Sequence, residues 1–323
     1  MERTASAAAH PNIAFIKYWG NRDQALRLPA NGSISMNLAS LYTWTRVTFR
    51  EDLRKDELTV NGRTQGEAAE KRAARFMDEV RRLAPDAGYA EIVSENNFPM
   101  GAGIASSASA FAAMAAAASA AAGLDLSEGE CSRLARMGSG SACRSVPGGF
   151  CEWTAGGADR ESYAGSIAPA DHWVLTDLIA VISGEHKKVG SSDGHAMAET
   201  SPFQAERVRT APERLKTCRE AILNKDFDAL AEVSERDMIM MHAVMMTQVP
   251  PLFYWEAASV ELIRQVRRWR GEGLPCFATL DAGPNVHVIC PADAVDAVRG
   301  QMEKINGIRE ILVSGPGGKA ELL

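Results

Sequence analysis

The stretch PMGAGIASSASA, from Pro99 to Ala110, is the most informative part of the chain for its fold. Gly101 and Gly103 can adopt positive φ and let backbone N–H groups approach an anion. The alanine-rich run that follows predicts a central, buried helix, whose amino-terminal dipole points at the same place. Ser106 and Ser107 add hydroxyls that suit phosphate oxygens or a magnesium ion. The pattern predicts a phosphate-binding loop, with a plain glycine-rich turn before a core helix as the alternative.

Two further stretches carry a candidate catalytic pair. The segment ATLDAGPN, from Ala278 to Asn285, sets Asp281 in a tight turn, and AHPNIAFIKYWG, from Ala9 to Gly20, sets Lys17 beside an aromatic pair. A carboxylate can accept the proton of an alcohol nucleophile, and a neighbouring ammonium keeps that carboxylate ionised. Taken separately, the aspartate would be a turn cap and the lysine a strand-edge residue. Together with the glycine loop, they predict phosphoryl transfer from ATP to a small molecule.

The segment RMGSGSACRSVPGGF, from Arg136 to Phe150, supplies another group of polar side chains. Ser139 and Ser141 flank Gly140 and offer hydroxyls and backbone N–H groups. Arg144 offers a planar fork that suits a carboxylate or a phosphate. The alternative for an arginine in a glycine-rich turn is a solvated surface charge.

Composition limits the classes of partner. The 323 residues are 46% hydrophobic, which allows two compact domains or one large one. The formal net charge of -6 argues against nucleic acid, because polyanion-binding proteins need a dominant basic face. The six cysteines are scattered, so we expect reduced thiols in a cytoplasmic protein. Neither a secretory signal nor a membrane span is visible, so we expect no membrane partner.

Hydrophobic periodicity predicts helices and strands in both halves of the chain. A capping box at Ser127 and Glu130 predicts the start of one helix. The other predicted helices cover residues 66–83, 201–223, 227–246 and 253–271, and predicted strands cover residues 90–95, 172–183, 275–280, 286–290 and 308–313. The terminal GPGGK, at residues 315–319, predicts a turn near the end of the second domain.

Longer strings indicate a family. The glycine loop fits the form P-x-x-x-G-[LI]-x-S-S-[AS] and so resembles the phosphate loop of the GHMP kinase superfamily. With IAFIKYWG, LPANGSISMNL, SENNFP, the arginine segment and LDAGPN in the same order, the chain is similar to the mevalonate diphosphate decarboxylase family over nearly its whole length. The resemblance implies an α+β fold with the active site in a cleft. It implies an amino-terminal phosphate-loop domain over residues 1–175 and a ferredoxin-like carboxy-terminal domain over residues 176–323.

The resemblance also implies an ATP-dependent decarboxylation of a small-molecule substrate by a homodimer that uses ATP and Mg²⁺. The C3 hydroxyl of a mevalonate derivative takes the γ-phosphoryl group, and phosphate and CO₂ then leave. Asp281 matches the catalytic aspartate, Lys17 the lysine that pairs with it, and Arg144 the arginine that binds the substrate carboxylate. The matching ATP-binding residues are Ser94, Asn96, Asn97, Gly101, Gly103, Ala105, Ser106 and Ser107, of which Ser107 is also a candidate magnesium ligand. The matching substrate-binding residues are Tyr18, Trp19, Asn21, Ser139, Gly140, Ser141, Arg144, Ser192, Asp193 and His195.

The chain departs from the family at two places. Asn21 stands where the family usually has a second lysine, and Ser192 is followed by Asp193, Gly194 and His195 where a Gly-Met pair is common. Fewer cations and an added anion favour a less charged substrate. We therefore expect 5-phosphomevalonate as the substrate and isopentenyl phosphate as the product. The alternatives are 5-diphosphomevalonate, a mevalonate-type kinase that does not decarboxylate, and a non-catalytic sensor of the same fold.

Overall fold

The computed structural model describes residues 3–98, 106–183 and 190–323, apart from the side chains of residues 191 and 192. Its strands are β1 (Arg3–Ala9), β2 (Asn12–Ile16), β3 (Asn21–Asp23), β4 (Leu28–Pro29), β5 (Ser33–Asn37), β6 (Thr43–Arg50), β7 (Glu57–Val60), β8 (Arg63–Thr64), β9 (Tyr89–Asn96), β10 (Phe150–Trp153), β11 (Ala164–Ala168), β12 (Leu175–Val181), β13 (Phe277–Thr279), β14 (Val286–Pro291), β15 (Glu310–Ser314) and β16 (Glu321–Leu322). Its α-helices are α1 (Glu67–Leu83), α2 (Ser106–Ala121), α3 (Glu128–Gly138), α4 (Ser191–Met197), α5 (Gln204–Arg209), α6 (Ala211–Asn224), α7 (Phe227–Thr247), α8 (Ala257–Gly271) and α9 (Val295–Met302). Short 3-10 helices lie at Gly140–Ser145, Asp159–Glu161, Ala198–Thr200 and Ala292–Ala294.

A sheet of six strands, in the order β16-β1-β6-β9-β7-β8, forms the amino-terminal layer, and α2 packs across it. Alanines on both sides, such as Ala7 and Ala9 of β1, let helix and strand approach closely. Phe76 of α1 and Phe111 of α2 meet edge to face with ring centroids 5.4 Å apart. The prediction of a central, buried alanine helix is confirmed, because most side chains of α2 are buried.

The second sheet, in the order β11-β10-β5-β2, packs against α6 and α7 of the carboxy-terminal half. All five residues of β2 are buried, which fits its continuous apolar run. Phe15 of β2 and Phe277 of β13 belong to one hydrophobic cluster, with ring centroids 6.0 Å apart. Because β2 ends at Ile16, the chain delivers Lys17 to the place where this sheet meets the carboxy-terminal one.

The carboxy-terminal sheet has the order β13-β14-β12-β15, and every neighbouring pair is antiparallel. Helices lie between β12 and β13 and between β14 and β15, so the elements run β-α-β-β-α-β. This is the ferredoxin-like arrangement, and the predicted fold class is confirmed. One face of the sheet packs on α8 and α9, and the other packs on β2.

Several predicted elements are confirmed, and one is corrected. The capping box is present, since Ser127 Oγ accepts from Glu130 N while the Glu130 carboxylate accepts from Ser127 N. The helix predicted over residues 201–223 is two helices, α5 and α6, joined at Thr210, with a proline in the first turn of α6. All six cysteines are buried free thiols, as predicted. In the part of the chain that the structure describes, no helix is both long and apolar enough to cross a membrane.

The end of the chain returns to the amino-terminal half. The GPGGK stretch bridges two of its segments, because Gly317 N donates to Asn37 O and Gly149 N donates to Gly317 O, each at 2.8 Å. β16 then pairs with β1, with Ala7 opposite Leu322. The predicted turn near the end of the second domain is therefore a crossing back to the first. The boundary between residues 175 and 176 stays a prediction.

Candidate active site

Lys17 and Asp281, which are far apart in sequence, form an ion pair. Lys17 Nζ lies 2.7 Å from Asp281 Oδ1 and also donates to Ala14 O at 2.6 Å. The first residue follows β2 and the second lies in the turn after β13, so the pair forms only when the two sheets meet. The Lys17 side chain is 1% exposed and that of Asp281 is 26% exposed. The carboxylate therefore keeps an accessible side that a substrate hydroxyl can reach.

Burial and the ion pair have opposing effects on the pKa values of Lys17 and Asp281. Burial raises the pKa of the Asp281 carboxyl, but the charge and hydrogen bond of Lys17, together with the charges of His287 and Arg144, bring the pKa below its usual range. Burial lowers the pKa of Lys17, and the attraction of Asp281 restores only part of the loss. Asp281 is thus ionised at neutral pH and able to accept a proton.

Arg144 lies in the 3-10 helix Gly140–Ser145 and is 2% exposed, so the alternative of a solvated surface charge is wrong. Its Nη1 donates to Ser33 Oγ at 2.5 Å, its Nε to Ser35 Oγ at 3.0 Å, and its Nη2 to Asn12 Oδ1 at 3.0 Å. Three of the five guanidinium N–H groups are used in this way. The other two have no partner among the described residues and suit a carboxylate.

The serine segment lies between Arg144 and the start of α2. Ser139 Oγ contacts Ser107 Oγ at 3.2 Å, so a predicted substrate residue meets the predicted magnesium ligand. At Gly140 a Cβ atom would lie 2.5 Å from the Tyr18 ring, so only glycine fits there. Ser141 lies in the same 3-10 helix and is partly buried. The structure thus brings this segment next to Tyr18 and the start of α2, and its role in substrate binding stays a prediction.

An aromatic cluster follows Lys17. The His195 ring stacks on Tyr18 with centroids 4.0 Å apart and lies 4.5 Å from the Trp19 ring. His195 Nδ1 accepts from Gly20 N at 3.0 Å. Trp19 is 1% exposed and donates to a glutamine side chain, Gln248, at 3.1 Å. The structure thus places Trp19 in the core, where it supports the segment around Lys17 and has almost no surface for a ligand.

Asn21 is buried beside this cluster. Its Oδ1 accepts from the Tyr18 hydroxyl at 2.5 Å, and its Nδ2 donates to Gln24 at 2.9 Å. Its side chain therefore supports the turn after Gly20 and presents no charge. Asp193 is exposed on α4.

The residues predicted for the adenosine end of ATP lie at the end of β9. Ser94 is 2% exposed, and its hydroxyl contacts Thr45 Oγ1 at 2.9 Å and the Trp44 carbonyl at 3.3 Å. The strand register turns it inward, so it offers little surface to a ligand. Asn96 accepts from a threonine hydroxyl, and Asn97 binds backbone groups of residues 40 and 42.

Part of the predicted site lies outside the described residues: Gly101, Gly103, Ala105 and the side chain of Ser192. Ser106 and Ser107 are described and begin α2. Sequence reasoning missed two further sets of residues. One set is Asn12, Ser33 and Ser35, which accept hydrogen bonds from the Arg144 guanidinium. Two serines within a buried strand are a signal that could have indicated this set. The other is a buried charge cluster behind Lys17, formed by Arg207, Arg214 and Asp237, for which the sequence holds no signal.

Comparison with known proteins gives consistent matches in both halves. Residues 9–164 match the model of a diphosphomevalonate decarboxylase-like N-terminal domain, and residues 177–312 match a mevalonate 5-diphosphate decarboxylase C-terminal domain. The diphosphomevalonate decarboxylase mvd1 of Aspergillus fumigatus is 38% identical, with 97% of this chain and 83% of the relative covered. The diphosphomevalonate decarboxylase of Candida albicans is 40% identical, with 87% and 83% covered.

Solved structures agree with these matches. The mevalonate diphosphate decarboxylase from Enterococcus faecalis has a TM-score of 0.93 at 37% identity, covering 100% of this chain and 99% of that one. A chain described as MDDEF in complex with MVAPP, AMPPCP and magnesium has a TM-score of 0.94 at 38% identity, with the same coverage. The enzyme from Staphylococcus aureus has a TM-score of 0.93 at 38% identity, covering 100% and 98%.

Proposed function

Because the chain belongs to the diphosphomevalonate decarboxylase family, we propose that it converts (R)-5-diphosphomevalonate and ATP to isopentenyl diphosphate, ADP, phosphate and CO₂. The observation that carries the proposal is the Lys17–Asp281 ion pair beside Arg144, whose charge acts on Asp281. These three residues supply a base, the cation that keeps it ionised, and a receptor for a carboxylate. An acid with a tertiary alcohol needs all three.

Each group has a defined task in the proposed reaction. Asp281 accepts the proton of the C3 hydroxyl as that oxygen takes the γ-phosphoryl group of ATP. Arg144 holds the carboxylate with its two remaining N–H groups. The bond between that carboxylate and C2 then breaks, its electron pair forms the C2–C3 double bond, and the C3 phosphate leaves. Lys17 keeps Asp281 ionised and oriented throughout.

The start of α2 fits ATP and magnesium. Ser106 and Ser107 lie at the amino terminus of a helix of 16 residues, where the dipole favours phosphate. The contact between the hydroxyls of Ser107 and Ser139 brings two neutral oxygen donors together, which is the donor type that magnesium takes. When bound, magnesium neutralises charge on the transferring phosphoryl group.

A second candidate substrate, 5-phosphomevalonate, is favoured by one specific observation. At the position where the resemblance leads us to expect a lysine, the chain has Asn21, a neutral side chain already bonded to Tyr18 and Gln24. The names of the relatives support the diphosphate better, and we therefore place the monophosphate second.

The test is a comparison of kcat/KM for mevalonate, its 5-phosphate and its 5-diphosphate, with CO₂ and the isopentenyl product both measured. The proposal predicts the highest value for the diphosphate, and a highest value for the monophosphate would replace it with the second candidate. Phosphorylation without CO₂ would indicate a kinase. Absence of ATP turnover with all three compounds would indicate a non-catalytic sensor. Assembly as a homodimer and a cytoplasmic location stay predictions.

A further inference from the structure

We propose that Asp237 and Arg207 are positioning residues that set Lys17 against Asp281. The inference rests on the proposed function, in which Lys17 serves Asp281. Lys17 lies just beyond the end of β2, so its backbone has left the sheet. Its N–H donates to Asp237 Oδ2 at 2.6 Å, and its carbonyl accepts from Arg207 Nη2 at 2.7 Å. Two side chains of the carboxy-terminal half thus replace the strand partners that this residue lacks.

Asp237 and Arg207 form a clamp on the Lys17 backbone. This clamp is buried, and Arg214 binds both of its members. Asp237 is 0% exposed and Arg207 is 1% exposed. Arg214 Nε donates to the other oxygen of Asp237 at 2.7 Å, and its Nη2 donates to Arg207 O at 2.8 Å. Each oxygen of the Asp237 carboxylate therefore has its own N–H donor: Oδ1 accepts from Arg214, and Oδ2 accepts from the Lys17 backbone. A buried ion cluster often adds little net stability compared with apolar side chains. Stability therefore does not explain why these charges bind the backbone of Lys17, whereas positioning of Lys17 does.

The clamp extends along the segment after Lys17. Arg207 Nη1 also donates to Asn31 Oδ1 at 3.1 Å and to Trp19 O at 3.3 Å. Asn31 Nδ2 in turn donates to Lys17 O at 3.0 Å. The planar fork of Arg207 thus binds two backbone carbonyls two residues apart, which a lysine could not do.

Asp237 also acts on Lys17 through its charge. The charged and titratable groups that act on Lys17 or its partner Asp281 lie on several elements: Asp281 after β13, Asp237 and His242 on α7, Arg144 in the 3-10 helix, Arg207 on α5, and the paired Asp177 and His287 on β12 and β14. Burial lowers the pKa of Lys17, and both Asp281 and Asp237 oppose that effect. Loss of the negative charge at Asp237 lowers the pKa of Lys17 further, so the ammonium loses its proton at a lower pH.

The same helix offers a matched control. Glu235 of α7 is 3% exposed, binds Arg270 through two contacts of 2.8 Å, and accepts a backbone N–H from Ala278 at 3.2 Å. Like Asp237, it is a buried carboxylate with arginine partners and one backbone donor. Its hydrogen bonds to the described residues go to Arg267, Arg270 and Ala278, and none goes to Lys17. Glu235→Gln thus reproduces the loss of a buried charge without touching the clamp.

The experiment compares the wild type, Asp237→Asn and Glu235→Gln. In Asp237→Asn, whichever way the amide turns, its NH₂ group faces an N–H donor, so one contact is lost. We expect kcat to fall at least about tenfold, because small misplacements in an active site have effects of this size. We expect the alkaline limb of the pH profile of kcat/KM to move down by roughly one pH unit, as for loss of a nearby opposite charge. The Glu235→Gln variant should be less stable than the wild type, but the alkaline limb of its kcat/KM profile should stay at the wild-type pH.

A titration that needs no turnover separates this inference from the proposed function. In lysine-labelled protein, NMR follows the side-chain ¹³Cε signal of Lys17 with pH, assigned by its absence in Lys17→Arg. The signal should titrate at a lower pH in Asp237→Asn than in the wild type and Glu235→Gln. Equal titration in all three overturns the inference, even if the wild type is active. A wild type that releases no CO₂ overturns the proposed function, and the titration still decides the role of Asp237.

A second variant covers the case in which Asp237→Asn does not fold. Arg207→Lys keeps the positive charge but cannot bind the carbonyls of Lys17 and Trp19 together. We expect a folded protein with kcat lowered at least about tenfold and KM changed less. Unchanged kcat in this variant overturns the inference.

Discussion

Replacement of Asp281 with Asn is the most direct test of the proposed chemistry. An amide cannot accept the hydroxyl proton, and a positioned base contributes ~10²–10⁴-fold to a rate. We therefore expect kcat for CO₂ release to fall by about that factor while ATP binding, measured separately by calorimetry, is kept. A loss smaller than about tenfold, or a loss explained by weaker ATP binding, would remove Asp281 from the role of base.

The same substitution has a cost in stability that the structure allows us to bound. It leaves Lys17, which is 1% exposed, with the Ala14 carbonyl and without its carboxylate. Breaking a fully buried pair costs about 3–5 kcal/mol, and because Asp281 is 26% exposed we expect about 2 kcal/mol in urea unfolding. Adding Lys17→Met should recover most of that stability without recovering turnover. Recovery of turnover in the double variant would refute the reasoning.

Three further outcomes are expected. Arg144→Lys should raise KM and lower kcat, with kcat/KM down about tenfold or more, because the planar guanidinium held by Ser33 and Ser35 is lost. Unchanged kinetics would contradict carboxylate binding by Arg144. Asn21→Lys should raise the ratio of kcat/KM for the 5-diphosphate over the 5-phosphate by roughly tenfold, as one charge-assisted contact allows, and Asn21→Gln is the uncharged control. The alkaline limb of the pH profile of kcat/KM should lie below pH ~10.4, the ordinary pKa of a lysine, because burial lowers the pKa of Lys17 and the active form needs its ammonium. A profile that stays flat up to that pH would contradict the role of the Lys17 ammonium.

The sequence was sufficient to single out residues that lie in a recognisable local motif, and their roles stay predictions. Lys17, Asp281 and Arg144 each lie in a segment with its own turn or strand signal, and the structure brings the first two into contact. Hydrophobic periodicity predicted helices and strands in the carboxy-terminal half, whereas their ferredoxin-like arrangement was implied by the family resemblance. Even there, the break between α5 and α6 was missed, because periodicity continues across Thr210 while the backbone hydrogen bonds do not.

The sequence was insufficient where a role depends on pairing between distant segments. Asp237 and Arg207 lie on helices, where charged side chains usually face solvent, and only the packing of α5 and α7 against the end of β2 turns them inward. Ser94 is a second example, because the resemblance matches it to an ATP-binding residue while the register of β9 buries its hydroxyl. Register and helix packing arise from the whole fold, so neither could be deduced from a motif.

The charges around the site explain why an arginine suits the proposed role of carboxylate receptor. In the described residues, Lys17 pairs with Asp281, and Arg207 and Arg214 share Asp237. Arg144 is equally buried, yet its described partners are two hydroxyls and an amide, with no carboxylate in ion-pair contact. An unpaired buried charge is costly, and neutral dipoles compensate only part of that cost. A lysine in this place would shed its proton, whereas arginine keeps its charge. In the proposed function the substrate carboxylate supplies the missing anion, so burial that is unfavourable in the free protein becomes affinity for the acid.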